Sequence, residues 1–101
     1  MSKLNYRLTN KATNDLIEIW DYTFETWSEV QAEKYYSQLT DAFSFIAENG
    51  EIGKDFSEIK KGLLGKNVGK HIIFYQFESK NKIVIIRVLH ERMDLKSRLQ
   101  E

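Results

Sequence analysis

The segment HIIFYQFESKNKIVIIRVLHERMDLKSRL, residues 71–99, contains two runs of branched and aromatic residues joined by a short polar turn. Residues 70–78 and 82–90 are predicted to be β-strands, and SKNK at 79–82 is predicted to be the hairpin turn between them. Alternation in the first strand sets Ile72 and Phe74 against Ile73, Tyr75 and Phe77, and in the second it sets Val84, Ile86 and Val88 against Ile83, Ile85 and Leu89. Both faces of the hairpin are therefore apolar and both need cover, whereas an antiparallel sheet often needs cover on one face only.

The first half of the chain predicts a strand followed by two helices. LNYRLT at 4–9 alternates apolar and polar residues, which is typical of a short edge strand. From Lys11 to Trp27 the apolar residues recur at three- and four-residue steps, which predicts a helix with the apolar face Ala12, Leu16, Ile19, Trp20, Thr23 and Trp27. SEVQ at 28–31 is a capping box that begins a second helix, and Asn49-Gly50 is a suitable end for it. The apolar face of that helix is predicted to contain Ala32, Tyr35, Tyr36, Leu39, Phe43 and Ile46.

These elements predict an α+β fold in one domain, residues 1–101, with the order β-α-α-β-β-β. The third strand is expected within 62–68, and Asp94 is placed to cap a short C-terminal helix over LKSRLQ. The helical hairpin can cover one face of the sheet. The other face needs the segment after Asp94, a second copy of the chain or a different protein.

Composition narrows the class of protein. The chain has 101 residues, of which 42% are hydrophobic and 30% are charged, and this balance is typical of a globular domain. It has no run long enough to cross a membrane, no secretory leader and no cysteine, which together favour the cytoplasm. Residues 1–50 carry four basic and eight acidic groups, whereas 51–101 carry eleven basic and seven acidic groups. This asymmetry indicates either an acidic partner for the second half or charge complementarity within the fold.

The end of the last predicted strand is dense in ionisable groups: Arg87, His90, Glu91, Arg92 and Asp94 lie within eight positions. One interpretation is a site that binds phosphate and moves a proton, with Lys66, Lys70 and His71 adding positive charge. The other is structural: Arg87 pairs internally with Glu91 or Glu78, and Asp94 only caps a helix. The two histidines do not have metal-ligand spacing on a common helix, so no metal site is expected.

The segment VLHERMDLKSRL (88–99), preceded by the hairpin at 71–87, resembles the end of ParE toxins of the RelE/ParE superfamily. YRLTNKATNDLIEIWDYTFETWSEVQAEKYYSQL (6–39) is similar to the first strand, acidic helix and second helix of that family, and GKDFSEI (53–59) is similar to the loop before its sheet. The resemblance implies the toxin of a type II toxin–antitoxin (plasmid stabilisation) system. It implies a RelE/ParE-like fold, DNA gyrase as target, and inhibition by a ParD-like antitoxin.

Under this resemblance the chain needs no catalytic residue and no cofactor, since it acts by protein–protein contact. It is expected neither to bind a membrane nor to bind DNA sequence-specifically on its own. The toxicity surface is expected at Arg87, His90, Glu91, Arg92, Met93 and Asp94. The antitoxin is expected to lie in a groove formed by Leu16, Trp20, Tyr35, Tyr36 and Leu39, although these residues could instead pack the helices on the sheet.

One alternative is a binding module without toxicity. The other is the function of RelE relatives, which cleave messenger RNA on the ribosome. Arg87, His90 and Lys70 would then carry the reaction. The tail ERMDLKSRLQE has no tyrosine or histidine, so it departs from the RelE-type pattern at the C-terminus. The chain also has Leu63-Leu64 where many relatives carry an arginine before the hairpin.

Overall fold

The computed structural model describes residues 5–100. The elements follow the chain as β1 (Tyr6–Leu8), α1 (Asn10–Thr26), α2 (Glu29–Asn49), β2 (Lys54–Asp55), β3 (Leu64–Val68), β4 (His71–Ser79), β5 (Lys82–His90) and α3 (Leu95–Leu99). The predicted α+β order is confirmed, and the two-residue strand β2 adds to it. Leu4, which belongs to the predicted first strand, lies outside the described residues.

The five strands form one sheet in the order β1-β5-β4-β3-β2. β1 runs parallel to β5 at one edge, and all other neighbouring strands are antiparallel. Thr9 joins this edge to the first helix: its backbone N–H donates to Ile85 O and its hydroxyl donates to Ile86 O. The same hydroxyl accepts from the N–H of Ala12 at 3.0 Å, and thus caps α1 directly where β1 ends.

Local signals set the helix ends. The Ser28 side chain accepts from the Gln31 N–H at 3.1 Å, so α2 begins one residue after it, and this half of the predicted capping box is confirmed. The Ser28 N–H donates to Thr23 O rather than to the Gln31 side chain. Gly50 ends α2 with φ 58° and ψ 36°, a left-handed conformation that glycine adopts without steric cost. The Asp94 side chain accepts from the Ser97 N–H and caps α3. Among residues 5–100, no helix is both long and apolar enough to cross a membrane.

The helical hairpin covers one face of the sheet. The core on that side contains Ala12, Leu16, Leu39, Phe43, Ile46 and Ala47 from the helices and Ile73, Tyr75, Ile83, Ile85 and Val88 from the strands. The opposite face packs Ile72, Phe74 and Leu89 against Leu63, Phe56 and Ile59 of the loop after β2, and against Leu95 and Leu99 of α3. The chain itself therefore supplies cover for this second face, so the sheet does not need a second copy or another protein there.

The predicted alternation of β5 is wrong beyond Ile85, because the strand contains a β-bulge. Phe74 pairs with Arg87 and Tyr75 pairs with Ile85, so Ile86 is an extra residue without a partner in β4. The bulge puts Val88 on the same core side as Ile83 and Ile85, although simple alternation places it opposite to them. Because of the bulge, Arg87 is opposite Phe74 and is no longer on the same face of the strand as Ile85.

Candidate functional site

An open groove of about 970 Å³ lies between α1, the turn after it and the adjoining ends of β4 and β5. Apolar side chains form much of its lining, including Ile19, Tyr22, Trp27, Leu89 and Met93. Tyr22 is 66% exposed and Trp27 is 72% exposed, values that are unusual for large aromatic side chains on a small domain. The charged lining is of two signs, with Glu18 on the helical side and Lys70 and Arg92 on the strand side.

Arg87 lies at the base of this groove, where it is buried and only 8% exposed. Its Nε donates to Asp15 Oδ2 at 2.8 Å and its Nη2 donates to Asp15 Oδ1 at 2.9 Å, a bidentate pair between β5 and α1. Nη1 donates to the backbone oxygen of Arg98 at 3.0 Å, which fastens α3 to the same strand. Because a buried guanidinium without a partner would be strongly unfavourable, this arrangement accounts for an arginine inside an apolar strand.

Asp15 also accepts a hydrogen bond from a backbone N–H at the edge of the sheet. Its Oδ2 accepts from the Val88 N–H at 3.0 Å, past the point where β1 stops pairing with β5. The prediction that Arg87 pairs internally is confirmed, but the predicted partners, Glu91 and Glu78, are wrong. Glu78 instead forms an ion pair with Arg7, in which Arg7 Nη2 lies 2.6 Å from Glu78 Oε2. The available signal was the position of Asp15, three residues after Ala12 and four before Ile19 on the core side of α1.

Tyr35 fastens α2 to the turn between β3 and β4. Its hydroxyl donates to Val68 O at 3.1 Å, accepts from the Lys70 N–H at 3.2 Å and lies 2.7 Å from His71 Nδ1. Because the Tyr35 hydroxyl donates its hydrogen to Val68 O, the 2.7 Å contact with His71 requires His71 Nδ1–H to be the donor and the hydroxyl oxygen to be the acceptor. Gly69 in this turn has φ +57°, and a Cβ there would lie 2.7 Å from the Tyr35 ring. The Tyr35 ring can pack against this turn because Gly69 has no side chain.

The side chains of His71 and His90 connect the Tyr35 hydroxyl to the groove. The rings of His71 and His90, which are paired across β4 and β5, have centroids 5.3 Å apart in an edge-to-face arrangement. Burial, reinforced by the charge of His90, lowers the pKa of His71 to about 4, so His71 is neutral near pH 7. His90 Nδ1 accepts from the Arg92 N–H at 3.1 Å, which orients the turn that follows β5. Within residues 5–100, no three histidine, cysteine or acidic side chains come together as metal ligands.

The residues of the expected toxicity surface take different positions. His90, Arg92 and Met93 line the groove together with Lys70, and Arg92 and Met93 are exposed. The turn is held by the Glu91 N–H, which donates to Lys70 O, and by the Met93 N–H, which donates to His90 O. Glu91 and Asp94 are exposed, and Asp94 is occupied as the cap of α3. Arg87 belongs to the interior, so the surface expected at 87–94 is presented by 90–94 alone.

Comparison with known proteins identifies the family. The family model described as "ParE toxin of type II toxin-antitoxin system, parDE" matches residues 6–95. Toxin ParE1 of Mycobacterium tuberculosis is 39% identical over 90 residues, which are 89% of this chain and 92% of that toxin. Toxin ParE1 of Caulobacter vibrioides is 33% identical over 94 residues, which are 93% of this chain and 96% of that toxin. Toxin ParE of Escherichia coli is 31% identical over 96 residues, which are 95% of this chain and 93% of that toxin.

The chain belongs to the ParE toxin family. It is accordingly a toxin of a type II toxin–antitoxin system. A solved structure titled "Chromosomal ParDE TA system from P. aeruginosa" has the same fold, with a TM-score of 0.70 at 16% identity. The alignment covers 86% of this chain and 95% of that one.

In this ParE toxin the residues expected to bind the antitoxin do not form one groove. Leu16 and Leu39 are buried in the core, so they do not offer a contact surface, and this part of the prediction is corrected. Tyr35 lines the groove. Trp20 and Tyr36 contact each other with ring centroids 6.1 Å apart, and neither lines the groove. The five residues therefore divide between the core, the groove and a separate surface.

Sequence reasoning also missed residues that shape the groove of the toxin. Periodicity assigns Trp27 to the apolar face of α1, but it is the residue that ends the helix and is largely exposed. Tyr22 received no assignment, although it is four residues after Glu18 on the same helix face, and both line the groove. A tyrosine and a tryptophan near the end of one helix, just before a tight turn, were the signal that could have indicated this surface.

Proposed function

We propose that this toxin inhibits DNA gyrase by protein–protein contact and that a ParD-like antitoxin holds it inactive by occupying the groove. The observation that carries the antitoxin site is the combination of exposed aromatic side chains and charges of both signs in one groove. An amphipathic helix inserts apolar side chains into such a groove and pairs its polar residues with the rims. Tyr22, Trp27 and Met93 would supply the apolar contacts.

The charges around the groove support a polypeptide occupant more than a polyanion. The cations Lys70, Arg92 and Arg98 would attract carboxylates of a partner. Glu18, in the same groove, would repel nucleic acid phosphates and would attract a basic side chain. A polypeptide can present acidic residues to one rim and basic residues to the other. The groove thus favours a protein partner, which is the kind of partner that the family description implies.

The position of Arg87 supports gyrase inhibition over the ribonuclease alternative. In that alternative Arg87 would hold a phosphate beside His90 and Lys70. Here Nε and Nη2 bind Asp15 and Nη1 binds the Arg98 backbone. A phosphate could recruit this guanidinium only by breaking a buried ion pair, which is strongly unfavourable.

The test is inducible expression of the chain without an antitoxin, followed by separate examination of chromosomal DNA and messenger RNA. Double-strand breaks with intact message are expected, together with inhibition of supercoiling when the purified toxin is added to purified gyrase. Rapid cleavage of message with intact DNA would instead establish the ribonuclease.

The antitoxin proposal has its own test. A ParD-family antitoxin that rescues cells expressing the wild-type chain is titrated against toxin variants in vitro. Trp27→Ser is expected to weaken its binding, whereas Ile52→Ser, an exposed apolar residue outside the groove, serves as the matched control. Equal affinity for both variants would place the antitoxin elsewhere.

A further inference from the structure

A second apolar surface lies on the helical hairpin, separate from the groove. Ile17, Trp20 and Phe24 follow one another at three- and four-residue steps along α1, so they share one face of that helix. Tyr36 of α2 lies beside Trp20 and completes this surface, here called the outer face. Ile17 is 54% exposed, Phe24 is 49% exposed and Tyr36 is 44% exposed. None of the four lines the groove.

The outer face lies in a strongly acidic part of the molecule. Helices α1 and α2 together carry eight acidic and only two basic residues. Asp21 lies one turn from both Ile17 and Phe24, and Glu25 lies one turn after Asp21, at the border between the outer face and the groove side of the helix. No ion pair found within residues 5–100 involves Asp21 or Glu25. The negative field around the apolar residues is therefore not neutralised by neighbouring side chains of the described chain.

Asp15 differs from the other acidic residues of the two helices. It is the one of these eight acids that is buried, and Arg87 neutralises it. Asp21 and Glu25, near the outer face, make no ion pair with any of residues 5–100 and cap neither end of α1. An apolar cluster bordered by carboxylates is complementary to a protein surface whose apolar residues are bordered by lysine or arginine. Nucleic acid and anionic membranes are excluded by the sign of the charge.

We infer that the outer face binds the protein on which the toxin acts, through an apolar and cationic surface of that target, while the antitoxin occupies the groove. This inference rests on the proposed function in that it assigns separate surfaces to target and antitoxin. Its physical basis is the separation of two exposed aromatic surfaces around α1. Tyr22 and Glu18 face the groove, and Ile17, Trp20 and Phe24 face away from it.

The experiment uses two outer-face variants of the full chain. Ile17→Ser with Phe24→Ser removes the apolar contacts, and Asp21→Lys with Glu25→Lys reverses the charge. Tyr22→Ser is the matched control, because it removes a similarly exposed aromatic side chain from the groove side of the same helix. All are first shown to fold by circular dichroism and thermal unfolding. Growth inhibition on expression is then measured, together with the affinity for a ParD-family antitoxin that neutralises the wild-type chain.

Both outer-face variants are expected to lose at least tenfold in toxicity and to keep antitoxin affinity within about twofold, a factor that corresponds to about 0.4 kcal/mol. Tyr22→Ser is expected to show the reverse pattern. Full toxicity of both outer-face variants would overturn the inference, and so would a parallel loss of antitoxin affinity, which would assign the outer face to the antitoxin.

Purified gyrase separates this inference from the proposed function. If the wild-type toxin inhibits gyrase, the outer-face variants are expected to bind it at least tenfold more weakly, and the loss for Asp21→Lys with Glu25→Lys is expected to shrink as salt is raised. If the wild-type toxin leaves gyrase unaffected, the proposed target is wrong. Loss of cell toxicity at unchanged antitoxin affinity would then still assign the outer face to another target.

Discussion

Arg87 and Asp15 are 72 positions apart in the chain, and their side chains form a buried bidentate pair with N–O distances of 2.8 and 2.9 Å. The pair joins β5 to α1, and the same arginine holds the backbone of α3 through Arg98 O. The three layers of the fold thus meet at one guanidinium. A substitution at Arg87 that abolishes toxicity would therefore report on the fold before it reports on any contact with a partner.

Arg87→Ala is expected to lower the free energy of unfolding by about 3–5 kcal/mol, because it leaves the Asp15 carboxylate buried without its partner. Asp15→Ala is expected to have an effect of similar size. Asp15→Asn combined with Arg87→Gln should recover much of this loss, since the two amides can bond to each other and the asparagine oxygen can still accept from the Val88 N–H. Urea unfolding of the wild-type chain and these three variants measures the recovery.

Two further measurements make this prediction specific. Removal of Arg7, whose pair with Glu78 is exposed, should leave urea unfolding nearly unchanged. The folded double variant should remain toxic in cells, because Arg87 is assigned a structural role. A double variant that is stable and non-toxic would show instead that the guanidinium itself contacts the target.

Gly69→Ala and Gly50→Ala form a matched pair. Both glycines have positive φ, +57° and +58°, so both substitutions carry left-handed strain of about 1–2 kcal/mol. A Cβ at Gly50 meets nothing within 4 Å, whereas a Cβ at Gly69 meets the Tyr35 ring at 2.7 Å. Gly69→Ala is expected to cost about 1–3 kcal/mol more, measured by urea unfolding. In a Tyr35→Ala background this excess should disappear, and its persistence there would contradict the tyrosine contact.

The unfolding free energy is expected to depend on pH through His71. The pKa of His71 is about 4 in the folded protein and near 6.5 when unfolded, because burial and the charge of His90 oppose protonation. Between these values the unfolded state binds more protons, so stability is present above pH 6.5 and falls as the pH is lowered towards 4. His71→Asn should reduce this slope, as measured by urea unfolding at several pH values. An unchanged slope would exclude His71 as its source.

In the groove, Trp27→Ser is expected to weaken antitoxin binding by at least tenfold, which is about 1.4 kcal/mol, with little change in thermal unfolding. The reason is that the side chain is already exposed in the free toxin, so its removal costs contacts only in the complex. Isothermal titration with a neutralising ParD-family antitoxin measures the effect. Arg92→Glu should also weaken binding by reversing the cationic rim, and high salt should reduce the difference from wild type.

The local structure of this toxin follows from short stretches of its amino-acid sequence. The Ser28 cap, the left-handed Gly50, the Asp94 cap and the turn at 79–82 each depend on a few neighbouring residues, so they could be predicted from the chain and were confirmed. The hairpin motif and the segment after it were also sufficient to indicate the ParE family.

Contacts between residues that are distant in the chain are set by the packing of the whole fold. The bulge at Ile86 shifts the strand alternation, Asp15 rather than Glu78 or Glu91 receives Arg87, and Trp27 is exposed while Leu16 and Leu39 are buried. The physical reason is that periodicity gives the face of an element but not its partner. Partner choice depends on how a helix crosses the sheet and where a short strand such as β1 ends, and these follow from packing of the whole chain.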